Sequence, residues 1–317
     1  MRVISIGDLV TDFYYKNGKL VGVNGGMTSH NIIANIAKLG LETSVYGVCG
    51  DDMAGTIAVN SLKEVGTNVD NVKKIESINT RCFHVSYQEL NGKLEFVSKK
   101  RCPICNIKRW YDESEIEAND ILKQINRDDV LIFDNLNKKN QIIIDNCDNR
   151  KMLDLGQYFE LEDYNDNDIV EKIKDKFDLI NLNERVEKYL KNRFSIKSLE
   201  DIYNILRPRM IIVTRGKNGS NFVFDNNKVN KELSDPEVEV DPTGAGDAFF
   251  SMFISEYIKN NYFIDYKFID STFEKAIKLT KKVVKKFGAR GHIQNLYKIK
   301  KVKDVCTCNN FDISSSK

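Results

Sequence analysis

The sequence predicts an α/β fold: a largely parallel, helix-flanked sheet with a small antiparallel flap beside it. Two observations carry that expectation. Short apolar runs alternate with longer stretches of helical periodicity along most of the chain. Two Asn-Gly pairs, each set between strand-like residues, interrupt the alternation.

Val3-Ile4-Ser5-Ile6 is a short apolar run ending at Gly7-Asp8, which suits a buried strand. Ser29 to Leu39 carries a helical stripe of Ile32, Ile33, Ile36, Ala37 and Leu39, closed by Gly40. Thr43 to Val48 reads as the next strand, and Ala54 to Val65 as a helix ending at Gly66. Further on, Val130–Phe133, Lys151–Asp154, Phe177–Ile180 and Met210–Val213 are short apolar strands with helical segments between most of them. Ligands of such sheets sit outside the carboxyl ends of the strands. The Asn-Gly pairs fall within Phe13 to Val21 and Cys82 to Val97. That dipeptide takes the positive φ values of a two-residue hairpin turn, so two hairpins are expected. They read either as a flap over the ligand edge or as surface decoration.

A chain of 317 residues can bury one large core or two modest ones. Its 48 basic against 46 acidic residues leave a formal charge of +2, too little to steer nucleic acid or membranes. The lysines of Lys278–Lys286 alternate with Ile277, Leu279, Val283, Val284 and Phe287, which reads as an amphipathic helix with a solvated face. No apolar run approaches the ~18 residues that span a bilayer. The first residues lack the apolar stretch and cleavage site of a signal peptide. A cytoplasmic protein with neither nucleic-acid nor membrane partners is expected. Its seven cysteines, an odd number, then read as thiols and not as a disulfide framework.

One stretch carries chemistry. Val238–Val240 reads as a strand and Ala248 onward as a helix with Phe249, Phe250, Phe253, Ile254 and Tyr257 near one face. Pro242-Thr-Gly-Ala-Gly246 is the turn between them, with Asp247 in the first helical turn. Small residues let a ligand approach the backbone, and the amides at a helix start favour an anion. A carboxylate beside such a site repels an anion but suits a general base that takes a proton from an attacking hydroxyl. That division of labour is phosphoryl transfer. The bland alternative is an acid that merely complements its own helix dipole.

Asp241-Pro-Thr-Gly-Ala-Gly-Asp247 resembles the C-terminal signature of the ribokinase/PfkB family of carbohydrate and nucleoside kinases. Gly25-Gly26 followed by Asn31, Leu39-Gly40 and Gly50-Asp-Asp-Met-Ala-Gly55 resemble its N-terminal signature. Thr214-Arg-Gly-Lys-Asn-Gly219 resembles its nucleotide-side turn, and Phe287-Gly-Ala-Arg-Gly291 its late loop. All stand in the family's order, and the resemblance runs from residue 1 to about 297. It implies a ribokinase-like three-layer α/β/α sandwich, a nine-stranded and mostly parallel core, and a small β-sheet lid built by hairpins near 13–23 and 81–100. Residues 298–317 would be a C-terminal extension whose end, from Asn309, is disordered. The short start, Gly7-Asp8 with Asp12, looks most like the fructosamine-type sugar kinases.

By resemblance Asp247 is the catalytic base, and Gly244, Ala245 and Gly246 form the anion hole. Asp12 accepts hydrogen bonds from substrate hydroxyls, a role that suits a carboxylate facing a polyol; Asp8 is its neighbour and competitor. Gly25 and Gly26 let the backbone approach the sugar. Spacing to Leu39-Gly40 is one residue longer than the family's, so His30 and Asn31 compete to face the substrate. The resemblance places Asn183, Thr214, Gly216, Gly219 and Gly288 with ATP, and ATP with Mg²⁺ as cofactors. The family's Asn-x-x-Glu meets Val186 at its last position, leaving Glu184 or Glu187 to substitute. Asp241, Thr243 and the loop Gly288–Gly291 stand where the family can hold a monovalent cation.

Cys102-Pro-Ile-Cys105 with Cys306-Thr-Cys308 offers four thiolates, enough for tetrahedral zinc, against the simpler readings of thiols or a redox pair. No dedicated protein metal site is otherwise read. Phe83, Val85 and Tyr87 alternate to give one apolar face, which serves either a homodimer through the lid or cover over the substrate. The leading reading is an ATP-dependent kinase acting on a primary hydroxyl of a sugar or sugar derivative. A nucleoside kinase of the same family, or a non-catalytic sugar- or nucleotide-binding homologue, are the alternatives.

Overall fold

The structure is a computed structural model that describes residues 1–90, 93–111, 114, 116–156, 161–233, 240–300 and 312–313. The amino-terminal part runs β1 (Val3–Ile6), β2 (Val10–Lys16), β3 (Lys19–Gly25), α1 (Thr28–Lys38), β4 (Thr43–Gly50), α2 (Met53–Glu64) and β5 (Asn68–Ile75). Next come β6 (Arg81–Leu90), β7 (Lys93–Lys99), α3 (Ala118–Leu122), β8 (Val130–Phe133), α4 (Lys138–Asp145) and β9 (Arg150–Leu155). There follow α5 (Asp166–Ile173), β10 (Leu179–Asn183), α6 (Glu184–Arg193), α7 (Leu199–Leu206), β11 (Met210–Thr214), β12 (Ser220–Phe224) and β13 (Asn227–Lys231). Two long helices, α8 (Ala245–Lys259) and α9 (Tyr266–Val283), complete the core.

Nine strands form one sheet in the order β13-β12-β11-β10-β9-β8-β1-β4-β5. From β11 to β5 every pairing is parallel, while β12 and β13 add an antiparallel edge. Apolar runs such as Val130–Phe133 and Met210–Val213 bury completely because helices cover both faces of the sheet. On one face α1, α2, α8 and α9 pack through Ile32, Ile36, Phe249, Phe253 and Phe273. On the other, α3 to α7 pack through Ile121, Ile143, Ile169, Leu190 and Ile202. The result is three layers, helix on sheet on helix.

Most expected elements are present, with shifted ends. The helix after Gly26 spans Thr28–Lys38, and Gly40 takes the left-handed φ of +87° that stops it. The β12–β13 hairpin carries no Asn-Gly signal, since its turn is Asp225-Asn226, both at positive φ, and β13 is largely polar. The helix expected from Ala248 begins at Ala245, since Gly244 at φ +80° already turns the chain into it. Of the strand expected over 238–240, Val240 sits in a bend, and Val238 and Glu239 lie outside the described residues.

The two hairpins join into one four-stranded sheet, ordered β3-β2-β6-β7. Asn17 and Gly18 hold the expected positive φ at the first turn, whereas Asn91 and Gly92 lie outside the described residues. Each hairpin is antiparallel as expected, while the joint between them, β2–β6, is parallel, with Asp12 opposite Phe83 and Tyr14 opposite Val85. Val85 and Tyr87 turn inward and pack with Tyr14, Phe287 and Leu296. Apart from residues 312–313, the tail expected to be disordered from Asn309 lies outside the described residues. Among the described residues no helix is long and apolar enough to cross a membrane.

Candidate active site

Gly244, Gly246 and Asp247 meet at the amino end of α8, under the carboxyl ends of the parallel strands. The two glycines serve different needs. A Cβ on Gly244 would fall 2.5 Å from the Ala289 carbonyl oxygen, so the bend itself requires glycine. A Cβ on Gly246 would meet nothing within 4 Å, so its bareness keeps open a cleft that Gly246 lines. The Ala245 amide donates to Pro242 and closes the turn. Among the described residues, the amides of Gly246 and Asp247 find no protein acceptor, which leaves them for an anion. Of the residues expected to form an anion hole, Ala245 thus spends its amide within the turn.

Asp247 does not lie back against its own helix. Its Oδ2 accepts from Asn31 Nδ2 at 2.8 Å, which ties α8 to α1. The surrounding protein desolvates it and pushes its pKa up to about 7, an effect that the Asn31 hydrogen bond opposes and the Asp134 charge reinforces. Asp12 is buried on β2, accepts from the Tyr14 hydroxyl at 3.2 Å, and is pushed up to about 6, again chiefly by burial. Asp8, its competitor, is taken by Arg81 and Ser114 at 3.2 and 3.0 Å.

Of the competing pair His30 and Asn31, it is Asn31 that turns its amide toward Asp247. His30 is buried with its ring against Gly7 and is pushed down to about 3 by desolvation, a neutral core histidine. Gly25 and Gly26 make room for side chains. A Cβ on Gly26 would lie 2.3 Å from an Asp12 oxygen, and one on Gly25 2.7 Å from Arg290 Nη1.

A cleft beside the α8 turn is lined by Thr214, Gly216, Gly219 and Gly246, with Phe249, Ile277, Thr280 and Lys281 from the two long helices. Sequence periodicity counted Phe249 and Ile277 only as core, since a helical stripe looks the same under a cleft wall and under a packed interior. Asn183 and Gly288 are elsewhere. Asn183 caps α6, accepting from Arg185 and Val186 at 3.0 Å and donating to Gly156 at 2.6 Å. Glu184 and Glu187 both pair with Arg215, at 3.1 and 2.5 Å.

The Gly288 amide donates to Asp241 at 2.6 Å. Tyr87 from the lid donates to the same Asp241 oxygen at 2.5 Å, and the Thr243 amide to the other at 2.8 Å. Fully buried, Asp241 is thus surrounded by three donors. Through Val85 and Tyr87 the alternating face of β6 packs on its own chain, against Tyr14, Phe287, Leu296 and Asp241.

Missed by the sequence reading were two more carboxylates at the strand ends. Asp134 accepts from the Ser29 amide at 2.8 Å at the start of α1. Asp154 accepts from Asn181 at 2.7 Å and is pushed up to about 8 by burial and then by the Asp247 charge. Among the described residues no group of three or more His, Cys, Asp or Glu could hold a metal. Cys102 is buried in the lid with Sγ 3.4 Å from the Ile104 amide, and Cys306 and Cys308 lie outside the described residues. Zinc is not supported.

A model of the pfkB family of carbohydrate kinases matches residues 2–290. Ribokinase of Schizosaccharomyces pombe is 32% identical over 121 residues, covering 32% of this chain and 38% of that protein. The chain spans about a third of the length of the curated relatives it matches. Fructokinase with bound ATP from Xylella fastidiosa superposes with a TM-score of 0.74 at 15% identity, covering 92% of this chain and 94% of the other. For a putative ribokinase II from E. coli in complex with ATP and Mg²⁺ the TM-score is 0.67 at 18% identity, over 92% and 95%. At such identities the likeness shows the fold, which is the ribokinase-like one.

Proposed function

The chain belongs to the pfkB family of carbohydrate kinases, and on that premise we propose that it transfers the γ-phosphoryl group of ATP to a primary hydroxyl of a sugar or sugar derivative. One observation carries the reading: Asp247 stands at the cleft-lining turn, bonded to Asn31 and within electrostatic reach of Asp12. ATP lies with its base toward Phe249 and Ile277 and its phosphates along Thr214, Gly216 and Gly219. The acceptor's other hydroxyls bond to Asp12 and Asn31. Its reacting O–H gives the proton to Asp247 while the oxygen bonds the γ-phosphorus and the β–γ bridge breaks, releasing ADP. The amides of Gly246 and Asp247 hold the negative charge of the moving group.

Mg²⁺ neutralises phosphate charge when bound; ATP oxygens and water would hold most of its shell, as the ion prefers. The lid excludes water, a competing nucleophile, through Tyr14 and Tyr87. ATP consumption against a panel of sugars, sugar derivatives and nucleosides tests the reading. Turnover of a sugar that falls by about 10²- to 10⁴-fold in Asp247→Asn, with ATP binding kept, is expected. Turnover only of a nucleoside would move the assignment to that substrate class. ATP binding with no acceptor turned over would make the chain a sensor.

A further inference from the structure

Resting on the reading of Asp247 as the base, we infer that Arg290 is a positioning residue for it. Its guanidinium fixes the Asn31 amide in the one orientation that donates to Asp247. Arg290 is 1% exposed, and among the described residues it makes no ion pair within bonding distance. Its Nε donates to Asn31 Oδ1 at 2.9 Å, Nη1 to Ser61 at 2.8 Å and Nη2 to the Gly26 carbonyl at 3.1 Å. A guanidinium can only donate, so the Asn31 atom that faces it must be the oxygen. The NH₂ group is thereby turned to Asp247, where it donates at 2.8 Å. Without Arg290 the amide is free to rotate by half a turn, placing an oxygen against a carboxylate oxygen.

The three anchors spread over α1, α2 and the turn after β3, so the fork locks the amino-terminal elements around the base. Gly25 and Ser61 fit the same account. A Cβ at residue 25 would strike both the guanidinium and the Ser61 hydroxyl, at 2.7 and 2.2 Å. A buried cation needs compensating charge nearby, and Asp12 and Asp247 both favour its protonated form. Asp247 in turn faces Asn31 from α1, Asp134 after β8, Asp12 from β2, Asp154 from β9 and Arg290 itself. Arg290 and Asn31 are the two of these that favour its ionised state, so they act together.

The experiment is a carboxyl NMR titration of Asp247, its signal identified by loss in Asp247→Asn. It is read in the native protein, Arg290→Gln, Asn31→Leu and the double variant. In Arg290→Gln the Asp247 titration is expected to move up by about one pH unit, and the shift is expected to shrink when Asn31 is already gone. Acceptor turnover falls while calorimetric ATP affinity stays, because the ATP cleft is lined by other residues. Unmoved titration overturns the proposal, and so does a shift of equal size with and without Asn31, which is charge alone. Should Arg290→Gln not fold, Arg290→Lys keeps the charge with one nitrogen for three acceptors. Its Asp247 must still titrate higher, or the proposal falls. Titration needs no turnover, so absence of kinase activity would sink the functional reading and leave the role of Arg290 standing.

Discussion

Asn31 Nδ2 donates to Asp247 Oδ2 at 2.8 Å across 216 residues of sequence. The bond joins the helix after the Gly25-Gly26 turn to the helix after the Gly244–Gly246 turn, so the position of Asp247 is set by both halves of the chain. Because it favours the ionised acid, it holds down a pKa that burial pushes up.

Activity should therefore rise as pH rises through about 7, where Asp247 loses its proton. Removing the donor in Asn31→Leu should move that limb to higher pH and lower the plateau. A profile of kcat/KM from about pH 5 to 9 checks both. An unchanged limb would detach Asp247 from the rate.

Asp154 predicts an unusual stability profile. Its folded pKa, about 8, lies above the 3.8 of an unfolded aspartate. Between those values the folded state binds more protons, so stability falls as pH rises from about 4 to 8. Asp154→Asn keeps an acceptor for Asn181 and should flatten this slope and raise Tm at about pH 8. Melting curves at about pH 5 and pH 8 compare the two proteins. Equal slopes would place the titration elsewhere.

Much of this was legible in the sequence because the signals were local. The strands at Val3, Val130 and Met210 are fully buried runs, and the turn at Gly244 is closed locally by the Ala245 amide on Pro242. Long-range partnerships left no local trace. Nothing in the spacing joins Arg215 to Glu184 and Glu187, or Tyr87 to Asp241. Asn183 stands at a strand end, where a helix cap and a ligand-binding amide look alike until its three partners are known. The bond from the Gly288 amide to Asp241 likewise has no trace in the local sequence.

The two glycines of the turn should part company on mutation. Gly244→Ala forces a left-handed φ on alanine and a clash with the Ala289 carbonyl, and should cost at least about 2 kcal/mol of stability. Gly246→Val meets open space, so the fold should hold while ATP affinity falls. Chemical denaturation and calorimetry separate the two effects. Loss of folding in Gly246→Val would contradict the open-cleft account.

Tyr87→Phe removes the lid's hydrogen bond to a buried carboxylate, worth about 2 kcal/mol. The variant should melt earlier and hydrolyse more ATP without acceptor, since a loosened cover admits water. Coupling between ADP released and product formed measures this. A ratio equal to the native protein's would mean that the cover holds without the tyrosine.

The parallel ladder between β2 and β6 has a mechanical consequence. It welds two hairpins into one panel, and Asp12 belongs to that panel while Asp247 belongs to the frame. Any outward swing would carry Asp12 away from Asp247, so under the proposed roles capturing the acceptor and completing the reaction centre would be a single event.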